Sequence, residues 1–367
     1  MGIRQIEVYP VTIRYKQPFI ISQGASIQSQ DVIVKVITDY EAVGWGESAP
    51  SLRVTGENQK SVLRTLDKIA PKLIRTCPLR IEKNVEFMDS IVKGNLAAKA
   101  SIDIALHDIL GKTARKQLFM LMGGYRTEVL TDITLSIKSP KEMAIDAVRA
   151  VRNGFKALKI KVGTNPIEDF DRIEEIRNAI GSKVQLRIDA NGGWTPKQAI
   201  EVLNRMDRFN VQFVEQPCKA ENFKGLAEVR RNSPIPVMAD ESVHTPEDAL
   251  RIIEAEAADM INIKLMKAGG IAKARKIATV AEAAGIPCMI GCMGETEIGI
   301  AGGTHLAAAA KNIQYADLDS DLMNKDKLVI KGGTAVKSSV RTFSRQCGLG
   351  IVELDERILG KPTRIYK

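Results

Sequence analysis

The sequence predicts an α/β protein in which a parallel eight-stranded β/α barrel follows an α+β unit. Three observations carry this reading. Residues 1 to about 50 alternate apolar and polar side chains in "QIEVYPVTI", "DVIVKVIT" and "AVGWGES", the period of half-buried strands. From about 56 to 122 the period becomes helical: "AAKASIDIALHDILGK" is broadly apolar, and "GG" at 123–124 stops it. From about 130 onward, short apolar strands alternate with amphipathic helices, the pattern of parallel strands joined by helical crossovers.

The eight barrel strands are read in "TDITLSI", "KALKIKV", "VQLRIDA", "VQFVEQ", "IPVMAD", "ADMINIKL", "IPCMIG" and "IQYADLD". Helices such as "PIEDFDRIEEIRNAIG" and "PKQAIEVLNRMDRF" lie between them. Eight strands and their crossovers in about 190 residues suit a closed barrel better than an open sheet. The α+β unit is assigned to residues 1–125 and the barrel to 126–340. The tail, 341–367, ending "GLGIVELDERILGKPTRIYK", is expected to return to the first unit.

Composition narrows the function classes. The net charge is +9, yet lysines and arginines are scattered and aromatic residues are only 5%, which leaves few stacking platforms for nucleic acid. No apolar run reaches 18 residues, and the N-terminus alternates like a strand instead of carrying an export signal. Five cysteines without a CxxC pair indicate reduced thiols and a cytoplasmic location. Neither nucleic acid nor membrane is expected as a partner.

The strand ends carry the chemistry. Strands three, four and five end "RIDAN", "FVEQP" and "MADES", and strand six ends "NIKLMKAGG", placing Asp189, Glu215, Asp240 and Lys264 at intervals of 26, 25 and 24 residues. One β/α unit separates each from the next, so all four occupy the carboxyl-end face, where barrels place active sites. One such acid is an ordinary helix cap or ion-pair partner. Three converging on one mouth repel unless a cation lies among them. An all-oxygen donor set without Cys or His suits Mg²⁺, with Mn²⁺ as the alternative.

"FKALKIKVG" puts Lys159 and Lys161 on one face of strand two. Strand two lies across the barrel from strand six and its Lys264. Lysines opposed across a metal site suit removal of a proton from one face of a carbon and its return on the other. The metal would stabilise the enediolate, and neighbouring positive charge should lower the lysine pKa values toward neutrality.

Together, "KIK", "DAN", "EQP", "ADES" and "NIKLMKAGGI" resemble the muconate-lactonizing subgroup of the enolase superfamily. "GWGES", "AAKASIDIALHD", "LMGGY" and "GLGI" extend the resemblance over essentially the whole chain. The resemblance implies a modified TIM barrel, (β/α)7β, with an N-terminal α+β capping domain completed by the C-terminal tail. It implies Mg²⁺ on Asp189, Glu215 and Asp240, Lys161 and Lys264 as acid/base pair, and Lys159 as a donor to the substrate carboxylate. Glu241 and Asn191 would support the metal site, and Glu295 the acid/base network. "YADLDSDLM" resembles the Asp-x-Asp motif of dipeptide epimerases, with Asp317 and Asp319 gripping the α-ammonium of the substrate. The implied reaction is inversion of the α-carbon of a dipeptide's C-terminal residue by 1,1-proton transfer. A dipeptide is then the small-molecule partner, and self-association as a homo-oligomer is compatible with the family.

Substrate preference is expected from the capping loops and the end of strand seven. Some relatives acting on Ala-Glu offer an arginine in the first loop; here that position is Gly24. The second loop, "APSLRVTGE", supplies Arg53, either as a salt-bridge partner for an acidic side chain or as a surface residue. Gly294 should leave room for a larger group, favouring small or apolar side chains. Competing readings are an o-succinylbenzoate synthase or N-acylamino-acid racemase with the same lysines, Schiff-base chemistry at Lys161 or Lys264, and a non-catalytic basic barrel binding nucleic acid or anionic surfaces. The Asp pair argues against the first, and the intact constellation of acids and lysines against the last. Cys292, His107, His244 and His305 are read as packing residues.

Overall fold

In the computed structural model, which describes residues 1–367, the alternating N-terminal segments form an antiparallel sheet of Ile3–Ile21, Gly24–Thr38 and Val43–Ser48. The register pairs Val8 with Val34 and Val36 with Gly44, so the buried valines share one face. Helices Gln59–Leu73, Ile81–Ile91 and Leu96–Thr113 pack beneath it. The third helix is buried nearly all round, because the sheet covers one side and the barrel segment Leu265–Ala268 the other. Gly46 and Gly44 permit that approach. A side-chain carbon on Gly46 would lie 1.9 Å from the Ser101 carbonyl oxygen, and one on Gly44 2.1 Å from that of Ala105.

Eight parallel strands follow: Ile133–Leu135, Ala157–Lys161, Gln185–Asp189, Val211–Glu215, Val237–Ala239, Met260–Lys264, Cys288–Gly291 and Ile313–Asp317. The crossover helices are Pro140–Arg152, Pro166–Ile180, Pro196–Met206, Phe223–Asn232, Pro246–Glu254, Ile271–Ala283 and Glu297–Ala309, giving (β/α)7β. Several begin with proline behind a capping residue: Ser139, Asn165, Thr195 or Thr245. Strands eight and one meet through Asp132 N–H to Ala316 O at 3.3 Å and Leu318 N–H to Thr131 Oγ1 at 2.9 Å. Strand one is shorter than "TDITLSI" suggests. Asp132 turns inward to Arg187 Nη1 at 2.7 Å, and Ser136 Oγ accepts from Ile20 N–H of the capping sheet at 2.6 Å.

Phe213, Met238, Met260 and Met289 plug the amino-terminal end of the barrel, with Tyr315 edge-on to Phe213 and the Arg187 guanidinium over the Phe213 ring. The carboxyl-terminal mouth is covered by the capping sheet. Ser22 Oγ donates to Ala190 O and Gln23 Nε2 to Asn191 O, both at 2.9 Å. Glu47 accepts from Thr296 N–H and Gly299 N–H at 2.7 Å, joining the third capping strand to the start of the seventh helix. In the tail, Arg364–Tyr366 adds a fourth strand to the capping sheet, whereas Val340–Phe343 and Ile351–Leu354 pair with Thr334–Lys337 and Val329–Gly332.

Two outcomes test this packing. Gly46→Ala drives a methyl group into helix backbone and should destabilise the fold by about 1–3 kcal/mol, read as a lower urea midpoint; an unchanged midpoint would contradict the contact. His305, packed against Phe343 and accepting from Phe119 N–H at 3.1 Å, has its pKa pushed down to about 3 by burial. The unfolded chain therefore binds the extra proton first as pH falls. The stability tied to a neutral His305 is complete above about pH 6.5 and declines toward pH 3 by up to ~1.4 kcal/mol per pH unit. The difference in stability between wild type and His305→Gln, measured across that window, should show this slope.

Candidate active site

Lys159 and Lys161 both project into the barrel from strand two, 1% and 6% exposed. Strand two stands four places from strand six in the eight-strand order, so Lys161 and Lys264 face each other across the mouth. Lys161 Nζ donates to Asp189 Oδ2 at 2.6 Å, and Lys264 Nζ to Asp240 Oδ2 at 2.7 Å. Both lysines line one cavity of about 540 Å³, together with Asn191, Glu241, Cys292, Gly294 and Arg53.

The acids at the strand ends converge as their spacing requires. Lys159 Nζ lies 3.0 Å from Asp189 Oδ2, 2.8 Å from Glu215 Oε2 and 2.7 Å from Asp317 Oδ2. Burial, and then repulsion from Asp189, pushes the Glu215 pKa up to about 8. Glu215 Oε2 forms no aligned hydrogen bond, although the Lys159 ammonium is close enough for a direct ionic contact. A buried, all-carboxylate group with one oxygen short of a directional partner is a donor set for a hard divalent cation. In this arrangement lysine ammonium groups supply the charge that compensates Asp189, Glu215 and Asp240, whereas the donor atoms that lie within 4.8 Å of one another are those of Cys292, Asp317 and Asp319.

The carboxylates in contact with the lysines govern their titration. Burial works to lower the Lys159 and Lys264 pKa values, but Asp189 and Asp317 around Lys159, and Asp240 beside Lys264, hold them above the ordinary lysine range. Adjacent carboxylates outweigh neighbouring cations because they are in direct contact. Asp240 is held well below the carboxylate range against the effect of burial, because Lys264 and Lys267 both contact it.

Supporting residues reach the same centre. Asn191, in the left-handed region at φ 44°, receives Lys161 Nζ at 3.2 Å and donates Nδ2 to Glu241 Oε1 at 3.0 Å. Burial, and then repulsion from Asp240 and Asp189, raises Glu241 to about 7. Glu295 is buried behind the cavity, accepts from Met293 N–H and is pushed up to about 8 by burial and Glu47. Asp317 and Asp319 are buried and do not line the main cavity. Thr134 anchors both, its N–H to Asp319 Oδ2 at 2.6 Å and its Oγ1 to Asp317 Oδ1 at 3.2 Å. Cys292 Sγ donates to Asp319 Oδ1 at 3.7 Å, so the thiol links the cavity wall to this acid pair. Burial and Asp317 push Asp319 to about 7.

Two glycine expectations change. Gly294 leaves no added room, because a side-chain carbon there would lie 2.6 Å from the Tyr15 hydroxyl, which already fills the space. Gly24 is not remote from positive charge, because the Arg53 guanidinium lies over it.

Four polar residues of the centre escaped the sequence reading. Asn262 Nδ2 donates to Glu215 Oε1 at 2.8 Å, and its place two residues before Lys264 on one strand was the available signal. Lys267 contacts Asp240 from the turn after strand six. Gln216 Oε1 accepts from Asp240 N–H at 2.9 Å. Thr134 needed the eighth strand beside the first to be noticed.

Comparison with known proteins gives consistent relatives. Residues 3–123 match the family profile "Mandelate racemase / muconate lactonizing enzyme, N-terminal domain", and residues 142–358 match "Enolase C-terminal domain-like". The chain is 43% identical to the L-Ala-D/L-Glu epimerase of Clostridium acetobutylicum over 96% of its own length and 99% of that protein's. The substrate-liganded L-Ala-D/L-Glu epimerase from Bacillus subtilis superposes with a TM-score of 0.95 at 39% identity, over 97% of this chain and 100% of the other. The dipeptide epimerase from Enterococcus faecalis, complexed with Mg and L-Leu-L-Tyr, gives 0.94 at 42% identity over 96% and 100%. With its opposed lysines, its strand-end acids and matches spanning both domains, the chain belongs to the mandelate racemase/muconate lactonizing enzyme family of the enolase superfamily.

Proposed function

We propose that the protein is a Mg²⁺-dependent dipeptide epimerase, an isomerase that inverts the α-carbon of a dipeptide's C-terminal residue. The single observation carrying this reading is the pair Lys161 and Lys264, on opposite strands and lining one cavity. Relatives named as epimerases, one of them complexed with Mg and a dipeptide, support it. Five free thiols support a cytoplasmic location.

Asp189, Glu215 and Asp240 would hold the metal, and Mn²⁺ satisfies the same oxygen donors. When bound, a divalent ion supplies positive charge to the substrate carboxylate as the α-proton leaves. Lys159 directs its ammonium toward that carboxylate. Lys161 takes the proton on one face and Lys264 returns one on the other; the roles reverse for the opposite epimer. Asp317 and Asp319, fixed by Thr134, receive the substrate ammonium. Asn191 and Glu241 orient Lys161, and the cap excludes water from the carbanionic intermediate.

Dipeptides incubated with enzyme and Mg²⁺ in D₂O should gain one deuteron on the C-terminal α-carbon, followed by mass spectrometry. Lys161→Ala or Lys264→Ala should each slow epimerisation by roughly 10²–10⁴-fold. A broad dipeptide library without exchange would defeat the reading. Independently of turnover, Mg²⁺ at 100 times its dissociation constant should stabilise the fold by about 2.7 kcal/mol. Calorimetry should show that increment as a raised melting temperature in wild type and its loss in Asp240→Asn, with the circular dichroism spectrum retained.

A further inference from the structure

A second cavity, of about 400 Å³, lies beside the first barrel strand. Eight strands are joined by seven crossover helices, and strand eight is followed by the single turn Ser320–Met323 instead of an eighth helix. That turn and residues 16–19 of the first capping strand stand next to strand one, and the space between them and the helix Pro140–Arg152 stays open. Thr134, which anchors Asp317 and Asp319, borders this space as well.

The walls are apolar: Leu135, Phe155, Phe19, Leu322 and Met323 supply them. Lys16, Lys138 and Arg149 also line the cavity, and Asp146 is its one acid. Asp146 is already engaged on both oxygens. Its Oδ2 receives Lys138 Nζ at 2.7 Å, and its Oδ1 receives Arg149 Nη2. The remaining partners of the lysines are neutral, with Lys16 Nζ donating to Leu322 O at 2.8 Å and Lys138 Nζ to Gln17 Oε1 at 3.1 Å. The Arg149 guanidinium makes no hydrogen bond beyond the one to Asp146, so its other N–H groups are free. Three cations against one carboxylate leave an excess of positive charge beside an apolar wall.

Apolar cavities of roughly 300–1,000 Å³ with a few convergent polar groups are the usual shape of small-molecule sites. The free N–H groups of a guanidinium pair with a carboxylate through parallel hydrogen bonds. A cationic ligand would meet three like charges, and a bare inorganic anion would leave the aromatic walls uncovered. We propose that this cavity binds a small monocarboxylate carrying an apolar chain or ring. Its head group sits on Arg149 and Lys16, and its body lies against Leu135, Phe155 and Phe19. The site is distinct from the catalytic cavity: Phe19 and Met323 are the only residues that border both, and neither Lys161 nor Lys264 reaches it.

Calorimetric titration of the full chain with hexanoate, hexanamide and hexylamine tests this without any need for turnover. Wild type should bind hexanoate roughly 10- to 100-fold tighter than hexanamide, the range of a hydrogen bond to a charged group, and should not bind hexylamine measurably. Arg149 and Lys16 are both exposed, so Arg149→Met and Lys16→Met should fold normally by circular dichroism. Each should weaken hexanoate about tenfold and leave hexanamide unchanged. Arg53→Met, at the other cavity, should leave hexanoate binding unaltered. Equal affinity for hexanoate and hexanamide, insensitivity to both substitutions at the second cavity, or loss of hexanoate in Arg53→Met overturns the proposal. So does the absence of hexanoate binding to wild type. None of these outcomes bears on the epimerase reading, which the deuterium exchange tests separately.

Discussion

The structure depends on balancing charge where water is scarce. At the barrel mouth, Asp189, Glu215, Asp240 and Asp317 interleave with Lys159, Lys161, Lys264 and Lys267, all buried. Four buried carboxylates without those ammonium groups would be prohibitively costly, and the reverse holds equally. Lys159 is the hub, touching three acids from three different strands. The parallel strands and capped crossover helices serve to hold this lattice in register. Each charge sits close enough to govern its neighbours' titration.

Much of this was legible in the sequence because two simple periods encode it. Strand alternation put Lys159 and Lys161 on one face, and the repeat length of a β/α unit put Asp189, Glu215, Asp240 and Lys264 at one end. Both depend on local spacing alone. Contacts between distant segments were not legible. Lys267 reaches Asp240 from a turn, Thr134 meets Asp317 and Asp319 only because the sheet closes, and Tyr15 fills the space above Gly294 from the cap. Which oxygens touch each ammonium was not legible for a related reason, because sequence order does not specify it.

The division of labour follows the domain boundary. Barrel strands fix the buried lysines and acids, with short hydrogen bonds and little exposure. The capping sheet carries Tyr15 and Gly24, and the loop after its third strand carries Arg53, outside the charge lattice. Glu47 couples the parts by giving its carboxylate to the start of the seventh helix, so the loops are held over the mouth by buried contacts.

The methionine and phenylalanine plug at the far end has a kinetic consequence. With that end sealed, arriving and departing molecules must pass through the same vestibule under the cap. Neither epimer can leave by a back door while the other enters. Each stereoisomer therefore acts as a competitive inhibitor of its epimer's conversion, and the approach to equilibrium slows as product accumulates, even when both turn over at equal speed.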